Sequence, residues 1–287
     1  MLYGAIEAGG TKMVLCIGDE NCNILEQISL PTLTPAETMP LMSDFFKGKG
    51  IKALGVGCFG PLDLNPDSPT YGSITSTPKL PWRDYPLIPE LEKALGVKCV
   101  LDTDVNAAAL CEAKMGAAKG LKNCVYITVG TGIGAGVYCE GKLVHGGLHP
   151  EWGHMPLQKH PSDPMEKGNC PYHEACLEGL AAGPSIEKRW GVSARELGPD
   201  HPAWELEAHY LAQVCAIALT TLATEKIILG GGVMSQTHLF PMIRKKTAEL
   251  LNGYLQSPNA LNLDNTIVPP QCFPVSGLIG SLLLAME

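Results

Sequence analysis

Residues 124–145 read CVYITVGTGIGAGVYCEGKLVH. Cys124–Val129 has the β-branched and aromatic content of a buried strand, and it runs straight into Gly130-Thr131-Gly132-Ile133-Gly134-Ala135-Gly136. From Gly130 to Ala135 the glycines match the dinucleotide pattern G-x-G-x-x-A. That pattern requires a helix immediately afterwards, because the pyrophosphate rests on the helix N-terminus. Here Val137–Cys139 follows with strand character, then a Glu140-Gly141 turn and a third strand over Lys142–His145. The glycine loop therefore joins two strands, which excludes a Rossmann unit. No G-x-x-x-x-G-K-[ST] occurs, which excludes a P-loop.

The N-terminus repeats this organisation. Leu2–Ala8 predicts a strand, Gly9-Gly10-Thr11-Lys12 a small-residue tip, Met13–Ile17 a second strand and Asp19–Asn23 a turn. Two such beginnings predict a duplicated α/β chain: two similarly built domains with a cleft between them. Further elements fit this. Thr34 opens a helix over Ala36–Lys47, and Ala53–Cys58 is a buried strand followed by a turn at Phe59–Asp63. Asn65–Trp82 has no period and reads as a functional loop. Ile88–Leu95 is a helix stopped by Gly96, and Val97–Leu101 is a strand. Asp102-Thr103-Asp104 turns into an Ala-rich helix that reaches about Met115. Later come a helix over Gly179–Trp190 interrupted at Gly183-Pro184, one or two helices over Pro202–Ala223, and a strand at Lys226–Leu229. A helix at Pro241–Gly253, a strand at Thr266–Pro269 and a terminal helix at Leu278–Ala285 complete the chain.

Composition narrows the function. The 287 residues carry a net charge of −8, which argues against a nucleic-acid scaffold. The apolar runs Val214–Thr224 and Leu278–Met286 are too short to span a bilayer. Eleven cysteines in no regular framework predict reduced thiols in a cytosol, and the first residues lack a signal-peptide pattern, so a cytoplasmic location is expected.

Glu151–Glu178 reads EWGHMPLQKHPSDPMEKGNCPYHEACLE. His154, Cys170, His173 and Cys176 offer two thiols and two imidazoles, the donor set of a tetrahedral zinc site with bonds of ~2.0–2.3 Å. Four protein ligands close such a site, so the zinc is expected to be structural. Chemistry is then left to other groups, and Glu151 and Glu178 flank the cluster. Three glycine clusters follow predicted strands: Gly9-Gly10-Thr11, Gly130–Gly136 and Gly230-Gly231-Gly232. Converging backbone N–H groups at the first two suit phosphates, and the third admits an adenosine. Thr11 and Lys12 add a hydroxyl and a charge. Asp104 reads either as a plain N-cap or as a carboxylate at a strand's carboxyl end, where ligands of α/β sheets collect. Together these parts suit phosphoryl transfer to an alcohol.

At this point the chain resembles the ROK sugar kinases of the actin-like ATPase superfamily, along nearly its whole length. The residues that carry the resemblance are Gly9-Gly10-Thr11-Lys12, Asp104-Val105-Asn106-Ala107-Ala108, Val129–Gly134, Glu151-x-x-His154 with the Cys/His run ending Cys176-Leu177-Glu178-Gly179, and Gly230-Gly231-Gly232-Val233. The resemblance implies two actin-like (ribonuclease H-like) domains, residues 1–106 completed by 274–287, and 107–273 with the zinc loop 151–178. It implies Asp104 as the base for a sugar 6-hydroxyl. Gly60, Pro61, Thr103, Glu151, His154 and Glu178 would contact the sugar. Gly9–Lys12, Gly130, Thr131, Gly132, Gly134, Gly179, Pro184 and Gly230–Gly232 would bind ATP, with Glu7 near Mg²⁺. A homodimer is implied as well. Thr103-Asp104, Thr77-Pro78-Lys79-Leu80-Pro81 and Cys170-Pro-Tyr-His173-Glu-Ala-Cys176 depart from the common glucokinase forms and resemble the bacterial fructokinase branch. The implied reaction is ATP plus D-fructose giving D-fructose 6-phosphate. A mannokinase or broader hexokinase is the alternative within the family. The family's sugar-responsive repressors carry an N-terminal winged helix, which does not fit a first strand beginning at Leu2.

Overall fold

The computed structural model describes residues 1–287. In chain order its elements are β1 (Leu2–Ala8), β2 (Lys12–Asp19), β3 (Ile24–Pro31), α1 (Pro35–Phe46), β4 (Ala53–Cys58), α2 (Leu87–Leu95), β5 (Lys98–Thr103), α3 (Asp104–Lys114), β6 (Cys124–Val129), β7 (Ile133–Cys139), β8 (Lys142–Leu143), α4 (Leu177–Ala181), α5 (Gly183–Trp190), α6 (Ala203–Thr221), β9 (Lys226–Gly230), α7 (Leu239–Leu251), α8 (Pro258–Leu261), α9 (Leu263–Thr266), β10 (Ile267–Val268) and α10 (Ser276–Leu284). They form two compact units, residues 1–112 with 143–150 and 274–287, and residues 113–142 with 151–273. No helix is long and apolar enough to cross a membrane.

The first unit is built on a sheet of order β3-β2-β1-β4-β5. β1 pairs antiparallel with β2 and parallel with β4, and β4 pairs parallel with β5. β4 (ALGVGC) is buried at every position, as a central parallel strand must be. On one face Ile6, Leu15 and Val56 pack with Met42 and Phe46 of α1 and Leu91 of α2. α1 starts where its sequence says it should: Thr34 and Glu37 form a capping box.

The other face is covered by α10. Its Leu278 and Leu282 pack on Ala5 and Cys16. This helix approaches so closely that a Cβ on Gly55 would lie 1.8 Å from the Ser281 carbonyl oxygen. A Cβ on Gly280 would meet the Ala107 carbonyl oxygen of α3 at 1.8 Å. The Ser281 hydroxyl accepts from the Gly57 N–H at 3.1 Å and donates to the Gly277 carbonyl at 2.8 Å. Small residues at 55, 57, 107 and 280 thus let α10 clamp α3 to the sheet, and α3 begins with Asp104.

The second unit repeats the plan with a sheet of order β10-β9-β6-β7-β8. β6 pairs antiparallel with β7 and parallel with β9, and β9 pairs parallel with β10. Each unit thus has a central strand with an antiparallel hairpin on one side and parallel strands on the other. The helix over 202–223 is single, and the break at Gly183-Pro184 separates α4 from α5. A buried ion pair ties the long 155–176 segment to these helices. Arg189 on α5 holds Asp163 in two hydrogen bonds of 3.0 and 2.9 Å, and the Tyr210 hydroxyl on α6 donates to Asp163 at 2.6 Å. Burial alone would raise the Asp163 carboxyl, but the Arg189 and Tyr210 hydrogen bonds prevail and hold it below the usual carboxylate range.

Several elements differ from expectation: the short helices α8 and α9 had no expected counterpart, β8 ends at Leu143 rather than His145, and β3 and β7 differ for reasons visible in their pairing. β3 had no expected strand in its place. It is an edge strand, exposed or half-buried along its whole length, so hydrophobic alternation is weak, and it forms by pairing with the open edge of β2. β7 begins at Ile133 rather than Val137, because Gly134 and Gly136 lie inside the strand opposite Thr128 and Tyr126.

Candidate active site

In the first unit, parallel pairing brings three strand ends to one sheet edge. Glu7 of β1 is in register with Gly57 of β4, and Gly57 with Asp102 of β5. Just beyond lie the Gly9–Thr11 turn, the Gly60-Pro61 turn with its cis peptide bond, and Thr103-Asp104. This is the edge where open α/β sheets bind ligands. The Gly9–Thr11 turn is fixed from the side. The Thr32 N–H donates to the Thr11 carbonyl at 3.0 Å, and the Thr32 hydroxyl donates to the Gly9 carbonyl at 2.8 Å.

The helix-cap reading of Asp104 gives way to its neighbour. The buried Thr103 hydroxyl accepts the Asn106 N–H at 3.0 Å and so performs the cap. Asp104 accepts the adjacent Val105 N–H at 2.9 Å and stays partly accessible. Burial pushes its carboxyl up to about 6, against the opposing effect of that hydrogen bond. Glu7 is pushed up to about 7, first by burial, then by the charge of Asp104, with Lys12 opposing. Both carboxyls thus hold their protons more tightly than exposed carboxyls do.

A brace that the sequence reading did not assign lies under Asp104. Buried Asp102 accepts from Asn106 Nδ2 at 2.7 Å, from the Thr103 N–H at 2.7 Å and from His145 Nε2 at 2.8 Å. The Asp102 hydrogen bond raises the His145 ring, against desolvation. His149 accepts the N–H of Leu62, immediately after Pro61, at 3.1 Å. Burial lowers that ring, which suits a neutral acceptor. The visible sequence signal was Asp102, the first aspartate of Asp102-Thr-Asp104. The histidines, more than 35 residues away in sequence, gave none.

The second unit gathers the other glycines. The Gly183 N–H donates to the Gly130 carbonyl at 2.7 Å, and a Cβ on Gly130 would lie 3.8 Å from the Gly232 nitrogen. Thus the Gly130–Gly132 turn, the Gly183-Pro184 start of α5 and the Gly230–Gly232 turn meet backbone to backbone. Gly231 has φ +88°, and a Cβ there would strike the Val129 carbonyl at 2.5 Å, so only glycine fits. Thr131 is exposed at the tip of its turn. Gly179 is buried against Cys170 and Cys176, so its lack of a side chain is explained by packing.

His154, Cys170, His173 and Cys176 converge, with their donor atoms all within 4.8 Å of one another. Cys170 Sγ is 3.9 Å from His154 Nδ1 and 3.5 Å from His173 Nδ1, and Cys176 Sγ is 3.9 Å from His154 Nδ1. Donors around a tetrahedral zinc are separated by about 3.5–3.8 Å, so the set fits that ion. His154 presents Nδ1 to the thiols, leaving Nε2 for another partner. Burial, with the Cys170 thiol adding to it, pushes the Cys176 thiol up to about 11, so metal entry must release protons. Glu178 follows Cys176 by two residues, and its Oε2 accepts the Ile133 N–H at 2.9 Å. The cluster is thereby linked to the Gly130–Gly132 turn. Glu151 is exposed, and its carbonyl accepts the His154 N–H at 3.0 Å.

Two duplicated α/β units of this topology define an actin-like (ribonuclease H-like) protein. The chain belongs to the ROK family, whose model matches residues 3–287. It is 47% identical to a fructokinase of Pediococcus pentosaceus over 99% of this chain and 98% of that protein. It is 45% identical to a fructokinase of Lactococcus lactis subsp. cremoris over 89% of this chain and 87% of that protein. The crystal structure of a ROK hexokinase from Thermus thermophilus superposes with a TM-score of 0.80 at 28% identity, covering 100% of this chain and 98% of that one.

Proposed function

We propose that the protein is an ATP-dependent fructokinase that forms D-fructose 6-phosphate and ADP. The observation that carries the phosphotransfer reading is Asp104: a carboxylate at the carboxyl edge of the first sheet, relieved of capping by Thr103 and raised to about 6. A base with that value is ionised at neutral pH yet basic enough to accept a hydroxyl proton. The choice of fructose follows the relatives, which match along nearly the whole chain.

In this reading the fructose 6-hydroxyl gives its proton to Asp104 as O6 bonds to the γ-phosphorus. The bond to the β,γ-bridging oxygen breaks, and ADP leaves with that electron pair. The Gly9–Lys12 and Gly130–Gly134 turns position phosphates, Gly230–Gly232 admits the adenosine with Pro184 beside it, and Gly60, Pro61, Glu151, His154 and Glu178 orient the sugar. Mg²⁺, when bound, neutralises phosphate charge, and Glu7, raised first by burial and then by the charge of Asp104, would lie near it. Zinc would be held by His154, Cys170, His173 and Cys176 and would fix the loop that carries the sugar acceptors.

Phosphorus NMR of a reaction with ATP and fructose tests the assignment. The expected result is equimolar ADP and fructose 6-phosphate. A product phosphorylated at C1, or ADP formed with inorganic phosphate alone, would refute it.

A further inference from the structure

We propose that Lys79 binds the terminal phosphate of the nucleotide at the Gly9–Thr11 turn, as a second ammonium group besides Lys12. This rests on the kinase reading above and adds a residue to it. A Cβ on Gly10 would lie 3.0 Å from Lys79 Cε and 3.5 Å from Nζ, so the lysine side chain lies over the turn. Its Nζ is also 5.8 Å from the centroid of Phe59, which follows β4 at the same sheet edge. Lys79 is half-buried and forms no ion pair, in a chain of net charge −8. A partly desolvated ammonium without a carboxylate partner favours an anionic ligand.

The segment that carries Lys79 is tied to the same turn. The Lys79 N–H donates to the Thr77 hydroxyl at 3.3 Å, and Arg83 donates to the Thr77 carbonyl at 3.3 Å. The Lys79 carbonyl accepts the Trp82 N–H at 2.8 Å, closing the short 3₁₀ turn Leu80–Trp82. The Trp82 indole N–H then donates to the Leu33 carbonyl at 2.6 Å. Leu33 adjoins Thr32, which holds the Gly9 and Thr11 carbonyls. The backbone that carries the ammonium is therefore tied to the turn before a phosphate arrives. Glycine at 10 leaves the space that the lysine stem occupies.

Calorimetric titration of Lys79→Met and Lys79→Arg with ATP and with AMP, without sugar, tests this role. The Met variant should bind ATP about tenfold or more weakly, a loss of ~1.4 kcal/mol, bind AMP as the wild type does, and turn over more slowly. The Arg variant should regain most of the ATP affinity. Unchanged ATP affinity in Lys79→Met, beside an active wild type, would overturn the role of Lys79 and leave the kinase reading standing. Equal losses for ATP and AMP would show a merely structural residue, and a raised fructose KM alone would assign the lysine to the sugar; either overturns it. A wild type that binds no ATP would overturn both readings.

Discussion

Asp104→Asn is expected to lower kcat by about 10²–10⁴-fold while leaving ATP affinity near the wild-type value. The amide can still accept the Val105 N–H, so the start of α3 is kept and only the proton acceptor is lost. The same substitution should stabilise the protein at high pH. In the wild type the folded value of about 6 lies above the ordinary 3.8. Between those values the native state holds more protons than the unfolded one, so stability falls as pH rises through this window. The cost is complete above pH 6 and absent below pH 4. With allowance for the partial exposure of Asp104, it is about 1–2 kcal/mol. Thermal melts should therefore show Asp104→Asn above wild type at pH 8 and level with it at pH 4. In the wild type, kcat/KM should fall as pH drops through about 6. An Asn variant that retains full turnover would remove Asp104 from the chemistry.

Metal removal is the second large effect. Native protein should carry ~one zinc per chain, and chelation should lower the melting temperature and raise the sugar KM together. The reason is connectivity. Cys176 caps α4 by accepting the Gly179 N–H at 3.3 Å, and Glu178 in that helix accepts the Ile133 N–H at the glycine turn. His154 ends the short 3₁₀ turn that begins after Glu151. Apparent zinc binding energies of ~10–16 kcal/mol in small sites show how much order a closed S₂N₂ set can impose. The Arg189–Asp163–Tyr210 network holds the middle of the loop independently of metal, so loosening should concentrate near residues 168–178. Cys170→Ala should lose zinc and show the same melting and KM changes. Protein that binds no zinc, or whose melt ignores the chelator, contradicts the assignment.

Much of this was legible in the chain because strong local signals coincide. A strand that ends in Gly-Gly-Thr or Gly-Thr-Gly and resumes as a strand cannot be a Rossmann crossover, and its repetition gives the duplicated topology. The Cys/His cluster was visible because Cys170, His173 and Cys176 recur at a spacing of three. What was hidden depends on tertiary partners. β3 is an exposed edge whose partner is supplied by β2. The interchange of roles between Thr103 and Asp104 turns on one hydrogen bond to Asn106. His145 reads as the end of a strand and His149 gives no signal until the fold carries them to Asp102 and Leu62. Thr103 shows the same limit. The resemblance implied a sugar contact, and the fold adds a role the sequence did not show, since its buried hydroxyl also accepts the Asn106 N–H as a helix cap.

The preference among sugars is where the fructokinase reading is most exposed. The most direct measurement is kcat/KM with ATP over fructose, glucose, mannose and N-acetylmannosamine in one coupled assay. The account predicts fructose at least ~tenfold above each of the others, a difference of ~1.4 kcal/mol in transition-state binding. Glucose or mannose turned over as efficiently as fructose would contradict it.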